Sequence, residues 1–338
     1  MKRIIIATIF IVLMVTTSCS NRKFKPYKFD KQEQIVMHDI DYPGLLAVTM
    51  QLVKVDSLLL INEFHGDSLI IVYNLNTNQI DRHLISKGEG PNELIPPLDL
   101  CVTDNNLYIL SRPIFSLNHI PLDALSKKGD TLCHDYRMPS LSDRFIPLTQ
   151  TQFVFSGMWK KRYAFLNTQS SDSLQEFGNY PDYLDNEKDI PTEAKMMFHQ
   201  SMFVKHPTEN KFVSCSSFVL QIFSYNKKEA IIPRLLFQKQ LGKYEYDFTT
   251  TGGFSATLRK GSDPEVIDLA CSENYIYLIV QNKKNRKMRD IEVIDWQGNP
   301  VKYLNCNKKI ICLTIDKKEK KGYCVIEDPE EHLAWFNI

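Results

Sequence analysis

Alanine is scarce in this chain: nine residues in 338, against nineteen phenylalanines and fifteen tyrosines. A sequence so poor in the best helix former and so rich in strand formers is not built as a helical bundle. An excess of one charge is also missing. Forty-one Lys and Arg against forty Asp and Glu leave a net +1, which excludes broad electrostatic capture of nucleic acid. Linear catalytic signatures are absent. The eight histidines form no HExxH or HxH pair, and there is no GxSxG elbow, EF-hand loop or CxxC. Those patterns place metal ligands or a nucleophile at fixed spacing, so no metal site and no cofactor is expected. Setting Cys19 aside leaves Cys101, Cys133, Cys215, Cys271, Cys306, Cys312 and Cys324. Seven is odd, so complete disulfide pairing is excluded. Most of them sit in apolar runs such as KFVSCSSFVL, where a thiol behaves as a small hydrophobe.

What is present begins with an address. Residues 1–3 are MKR, and Ile4 to Val15 is apolar apart from Thr8. A basic start, a greasy core too short to span a bilayer comfortably and small residues before a boundary read as a secretory signal. The TTSC that follows resembles the lipobox of bacterial lipoproteins, although Thr16 stands where that pattern prefers Leu. The resemblance implies a signal over 1–18 and lipidation at Cys19. Loss of Lys2 and Arg3 with the signal would take the net charge to −1. Residues 19–32 are polar and basic and read as a tether. Outward-exported lipoproteins of some Gram-negative cells carry acids just after the Cys. Here Arg22, Lys23 and Lys25 follow, which implies an outer-membrane anchor facing the periplasm.

Internal repeats carry the fold. DLCVTDNNLYIL from Asp99 aligns without a gap on DLACSENYIYLI from Asp268, matching Asp, Leu, Asn and Tyr. The pattern is strand, tight polar turn, strand. It recurs with turns at Asp56, near Gln150, near Glu209 and near Lys318, at spacings of 48, 46, 59, 64 and 45 residues. Further strand-like text follows each hairpin, giving about four strands per unit, and a period of ~40–50 residues is that of propeller blades. The reading is all-β over residues 33–338: a six-bladed β-propeller of four-stranded antiparallel blades. EQIVMHDI, residues 33–40, would supply the outer strand missing from the short last unit and so close the ring. The long spacings are ascribed to the stretch from Asn179 to Phe203, where a short helical insert near 190–200, capped by Thr192, is expected.

One motif stands out: SKGEGPNEL, Ser86 to Leu94. Two glycines and Pro91 make a rigid turn, lacking the third glycine of a dinucleotide fingerprint and the Lys-Ser/Thr of a P-loop. With Cys19 and the six weak repeats, this G-x-G-P-x-E run resembles the TolB-like six-bladed propeller lipoproteins of Gram-negative bacteria. The resemblance spans essentially the whole mature chain and implies a propeller in the cell envelope, without a reaction. Two roles are open for the turn. Either Glu93 is satisfied by backbone N–H groups at a blade crossing, or Gly88, Gly90, Pro91, Asn92 and Glu93 form a ligand-binding element facing the central channel.

These readings give a lipid-anchored envelope module that binds a peptide, a glycan fragment or a partner protein, with membrane contact through its anchor and no nucleic acid. The alternative is a metal-dependent hydrolase or lactonase-like enzyme with its site in the channel. TTTGGFS reads as a long inter-strand loop or the lining of one face, and RPIFSLNHIP and the aromatic KYEYDF segment as either rim contacts or ordinary blade packing.

Overall fold

A computed structural model describes residues 24–125, 132–138, 142–169, 174–184, 189–249, 255–262, 266–318 and 320–338. The signal over 1–18 and Cys19 lie outside the described residues, as do residues 250–254 within TTTGGFS. Among the described residues no helix is long and apolar enough to cross a membrane.

The strands form six antiparallel blades. Blade 1 comprises Thr49–Val55, Leu58–Glu63, Ser68–Asn74 and Gln79–Lys87. Blade 2 comprises Leu98–Thr103, Asn106–Ser111, Ser116–Pro121 and Cys133–Arg137. Blade 3 comprises Ser142–Pro147, Gln152–Gly157, Tyr163–Asn167 and Leu174–Phe177. Blade 4 comprises Met202–Lys205, Lys211–Cys215, Val219–Ser224 and Arg234–Gln240. In blade 5, Val266–Cys271, Tyr275–Gln281 and Arg289–Asp295 are completed by the first part of the long strand Pro300–Ile315. The rest of that strand opens blade 6, followed by Lys321–Glu327 and Glu331–Asn337. Asn307, at φ 53°, marks the corner between the two blades, a conformation that short polar side chains tolerate.

Each expected hairpin is the inner pair of a blade. Asp56, Asp104 and Asn105 turn with positive φ, as tight hairpins of this twist require. The middle strands are buried on both faces: SLIIVYN and YIYLIVQ are covered apart from their terminal residues. Continuous apolar runs rather than alternation are the signature of a sheet sandwiched between neighbours. The outermost strands are the exposed ones.

The first strands stand side by side in a closed ring, Thr49–Val55 next to Leu98–Thr103 and so on round to Pro300–Ile315, which again borders Thr49–Val55. The N-terminal segment joins the ends in two steps. His38–Asp39 pairs antiparallel with Trp335 and Ala334 of the last strand. Gln32–Gln34 runs parallel along Tyr303–Asn305 of blade 5 instead, so the segment 33–40 serves two blades rather than one. From Phe24 the expected tether lies against the protein: Tyr27 Oη donates to the Gly298 carbonyl at 3.0 Å, and Lys239 Nζ lies 4.6 Å from the Tyr27 ring.

The insert is a helix, Thr192–Phe198. Its N-cap is Pro191 and no side chain caps it, so Thr192 is the first helical residue rather than the cap. A fixed φ pre-organises the helix start without a side-chain cap. Only the 59-residue spacing contains this helix. The 64-residue spacing has a different origin, the extra hairpin Tyr246–Thr249 and Ser255–Leu258. Helix and hairpin share a core of Ile190, Ala194, Phe218, Val219, Tyr244 and Tyr246. KYEYDF is therefore mostly packing, with Phe248 its exposed end.

Candidate functional site: the central channel

The inner strands of all six blades line one cavity of about 450 Å3. Its wall is organised by position within the repeat. Gln51, Asp99, Arg144 and Asp268 each lie five residues ahead of their turn residue, Asp56, Asp104, Thr149 and Glu273. From this position Gln51, Asp99 and Asp268 each reach the backbone of the following blade. Gln51 Nε2 donates to the Leu100 carbonyl and Gln51 Oε1 accepts from the Leu100 amide, both at 2.8 Å. Asp99 Oδ2 accepts from the Phe145 amide and Asp268 Oδ2 from the Leu313 amide, each at 3.0 Å. These bonds tie blade 1 to 2, blade 2 to 3 and blade 5 to 6. Inner strands carry unpaired backbone groups toward the channel, and side chains from the preceding blade satisfy them.

The carboxylates are electrostatically unusual. Burial raises Asp99 to about 6, with Arg144, 3.6 Å away, pulling it down. Burial likewise raises Asp268 to about 6, opposed by its bond from Leu313. Cys101 and Cys271 in the same wall are pushed up to about 12 by burial, so neither is a thiolate nucleophile at neutral pH. Among the described residues no group of three His, Cys, Asp or Glu is placed to hold a metal ion.

The end of the channel formed by the hairpin turns has another character. Lys54, Lys205, Lys227 and Lys317 stand among Asp56, Asp104 and Glu209. Lys205 crosses from blade 4 to bond Thr103 Oγ1 and the Leu148 carbonyl, and burial lowers its affinity for a proton. His206 Nδ1 accepts from the Thr208 and Glu209 amides and its ring lies 4.6 Å from Trp296. Burial holds it below the ordinary histidine range, which keeps the accepting nitrogen unprotonated. The mouth is thus a rigid ring of both signs, suited to polar groups of both signs on a ligand.

Comparison with known proteins agrees with this architecture. The profile of the TolB-like 6-blade propeller-like family matches residues 27–318. The chain belongs to that family. Among solved structures, this TolB-like chain is similar to an exported protein from Bacteroides fragilis, at 11% identity and a TM-score of 0.57, covering 93% of this chain and 98% of that one. It is also similar to a member of the DUF4221 family from Bacteroides vulgatus, at 11% identity, TM-score 0.53 and the same coverage. The WD40 repeats of RRP9 give 8% identity, TM-score 0.52 and coverage of 89% and 97%. At such identities these likenesses concern fold. No curated protein matches the chain significantly.

In this TolB-like propeller the GEGPNE turn sits at the rim, where blade 1 crosses to blade 2. Glu93 and Leu94 pair parallel with Ser86 and Lys87. Glu93 Oε2 accepts from the Gly90 amide at 2.8 Å, and the Gly88 amide donates to the Leu94 carbonyl at 3.2 Å. A Cβ on Gly88 would overlap the Glu93 carboxylate, and one on Gly90 would lie 3.0 Å from it. His134 of blade 2 reaches the Pro91 carbonyl at 3.3 Å. None of Gly88, Gly90, Pro91, Asn92 and Glu93 lines the channel cavity. Arg112, from RPIFSLNHIP, pairs with Asp143 of blade 3. Sequence reasoning did not single out Gln51, Arg144 or Lys205. For Gln51 and Arg144 the signal available was the five-residue offset from Asp56 and Thr149, whereas Lys205 stands four residues before Glu209 and carried no such signal.

Proposed function

We propose that this TolB-like propeller is a lipid-anchored, exported binding module. It holds a charged peptide, a glycan end or a segment of a partner protein at the channel mouth on the hairpin-turn face. The observation that carries this reading is one cavity built from all six inner strands. Its deep polar groups are used for blade-to-blade bonds, while its mouth offers lysines and carboxylates together. Rigid scaffolds that present loops around a concave site serve recognition widely. Anchoring would come through Cys19 and would place the molecule in the cell envelope, facing the periplasm. A ligand contact by Asn92 and Glu93 would be a second, rim-side element of the same module.

Photo-crosslinkers placed singly at Asp104 and Lys317, and at rim position Asp81 as control, test the site in native envelopes. Discrete adducts from the mouth positions alone, lost in a Lys205→Glu/Lys227→Glu protein, are expected. Equal labelling from Asp81 would overturn the assignment. Separately, Cys19→Ala is expected to release the protein from the membrane fraction, and retention there would refute the anchor without touching the channel.

A further inference from the structure

Between blades 3 and 4, away from the channel, lies a buried cation that pairs with no carboxylate among the described residues. Arg162 is 1% exposed. Its Nη2 donates to Ser201 Oγ at 3.2 Å, while its Nε and Nη1 find no acceptor. Ser201 Oγ is itself committed, donating to the His199 carbonyl at 3.1 Å. The His199 ring, also 1% exposed, has both nitrogens unpartnered. It lies against Tyr180 and Tyr244, with centroids 6.0 and 5.4 Å away.

No ion pair joins Arg162 to a carboxylate among the described residues. The groups that feel its charge stay neutral. Burial raises the Tyr163 and Tyr180 hydroxyls and the Cys215 thiol, and it drives His199 well below its ordinary value, Arg162 and Lys195 adding to the effect. Glu176, whose charge reaches Tyr180, is occupied by the Lys161 amide at 2.8 Å. A guanidinium cannot shed its charge and offers donors only. The Arg162 Cζ lies 5.4 Å from the centroid of the Tyr163 ring, a contact that offsets only part of the charge's burial, and without further compensation the cation would cost more than the fold can spare. Water would satisfy the hydrogen bonds but not the charge.

We infer that Arg162, with a ring N–H of His199, holds a small monovalent anion between blades 3 and 4. The anion locks the blade 3 strand start to the Ser201 backbone, whose amide donates to Ser156 Oγ at 2.7 Å. This assigns a structural ligand and is independent of what the channel binds.

Bromide is the probe. Crystals of the full chain grown in sodium bromide are expected to show an anomalous peak within hydrogen-bond reach of Arg162 Nε and Nη1. At constant ionic strength, set with a bulky sulfonate, the unfolding midpoint of the wild-type chain should climb with the logarithm of bromide concentration, as ligand linkage requires. The climb should vanish in Arg162→Met. Absence of the peak, with water or a carboxylate of the chain against the guanidinium, overturns the inference. A climb of equal slope in Arg162→Met does the same. The wild-type map decides the matter if the variant does not fold.

Discussion

Asp268→Asn isolates the electrostatics of the channel wall. The carboxylate accepts the Leu313 amide at 3.0 Å, and burial raises it from 3.8 to about 6. The folded protein therefore holds this proton more tightly than the unfolded chain. Stability conferred by the bound proton is present at low pH and lost as the pH rises through the interval from 3.8 to about 6. A difference of about two pH units at ~1.36 kcal/mol each sets a penalty near neutrality of about 3 kcal/mol at most, since channel water screens part of it. Asparagine keeps an oxygen for the Leu313 amide and carries no charge. Urea unfolding from about pH 4 to about pH 7.5 should find the variant level with wild type at the acid end and up to ~3 kcal/mol more stable at the neutral end. A variant that is less stable near neutrality, or a gap that does not change with pH, would refute this account of the wall.

Glu93→Ala strips the acceptor from the Gly90 amide and should cost ~1–3 kcal/mol in urea titrations, whereas a purely ligand-facing Glu93 predicts no change in stability. Gly88→Ala should destabilise through overlap with the same carboxylate, and the Gly88→Ala/Glu93→Ala pair should recover part of the loss in a double-mutant cycle. A chain lacking residues 1–40 loses the partner of the last strand. It should unfold at lower urea and self-associate in light scattering through the bared edge. The buried thiols of Cys215, Cys306, Cys312 and Cys324 should resist a disulfide reagent in the native protein and react at once on unfolding. Rapid native labelling of all four would contradict their burial.

The blades were legible because their hairpins are local. A polar turn at Asp56 or Asp104 between apolar runs declares itself within a dozen residues. Sandwiching then makes the middle strands continuously apolar, a pattern visible in SLIIVY and YIYLIV. The helix was legible from Pro191 onward, but its cap was not, because Pro191 fixes the start geometrically and leaves Thr192 no capping to do. The hairpin after Tyr244 was obscured because its aromatic residues look the same whether they line a rim or fill a core. The channel was mostly hidden for a stronger reason: its wall is assembled from strands up to 260 residues apart, and no local pattern links Gln51 to Ile311. Asp99 and Asp268 were the exception, surfacing together because blades 2 and 5 retain the same text.

The way the N-terminal segment joins the disc also sets how it bears load. Any pull applied upstream of Phe24 acts on the rim, not on the axis. It meets first the Tyr27 and Lys239 contacts beside blade 4, then the parallel pairing at Gln32–Gln34, and only afterwards the two-residue clasp on the last strand. Tension is thus spent in sequence on replaceable rim contacts, while the channel wall, stitched by Gln51, Asp99 and Asp268, stays slack. Were the chain suspended through this segment, as proposed above, the disc would swing edge-on, with both flat faces open to whatever diffuses past.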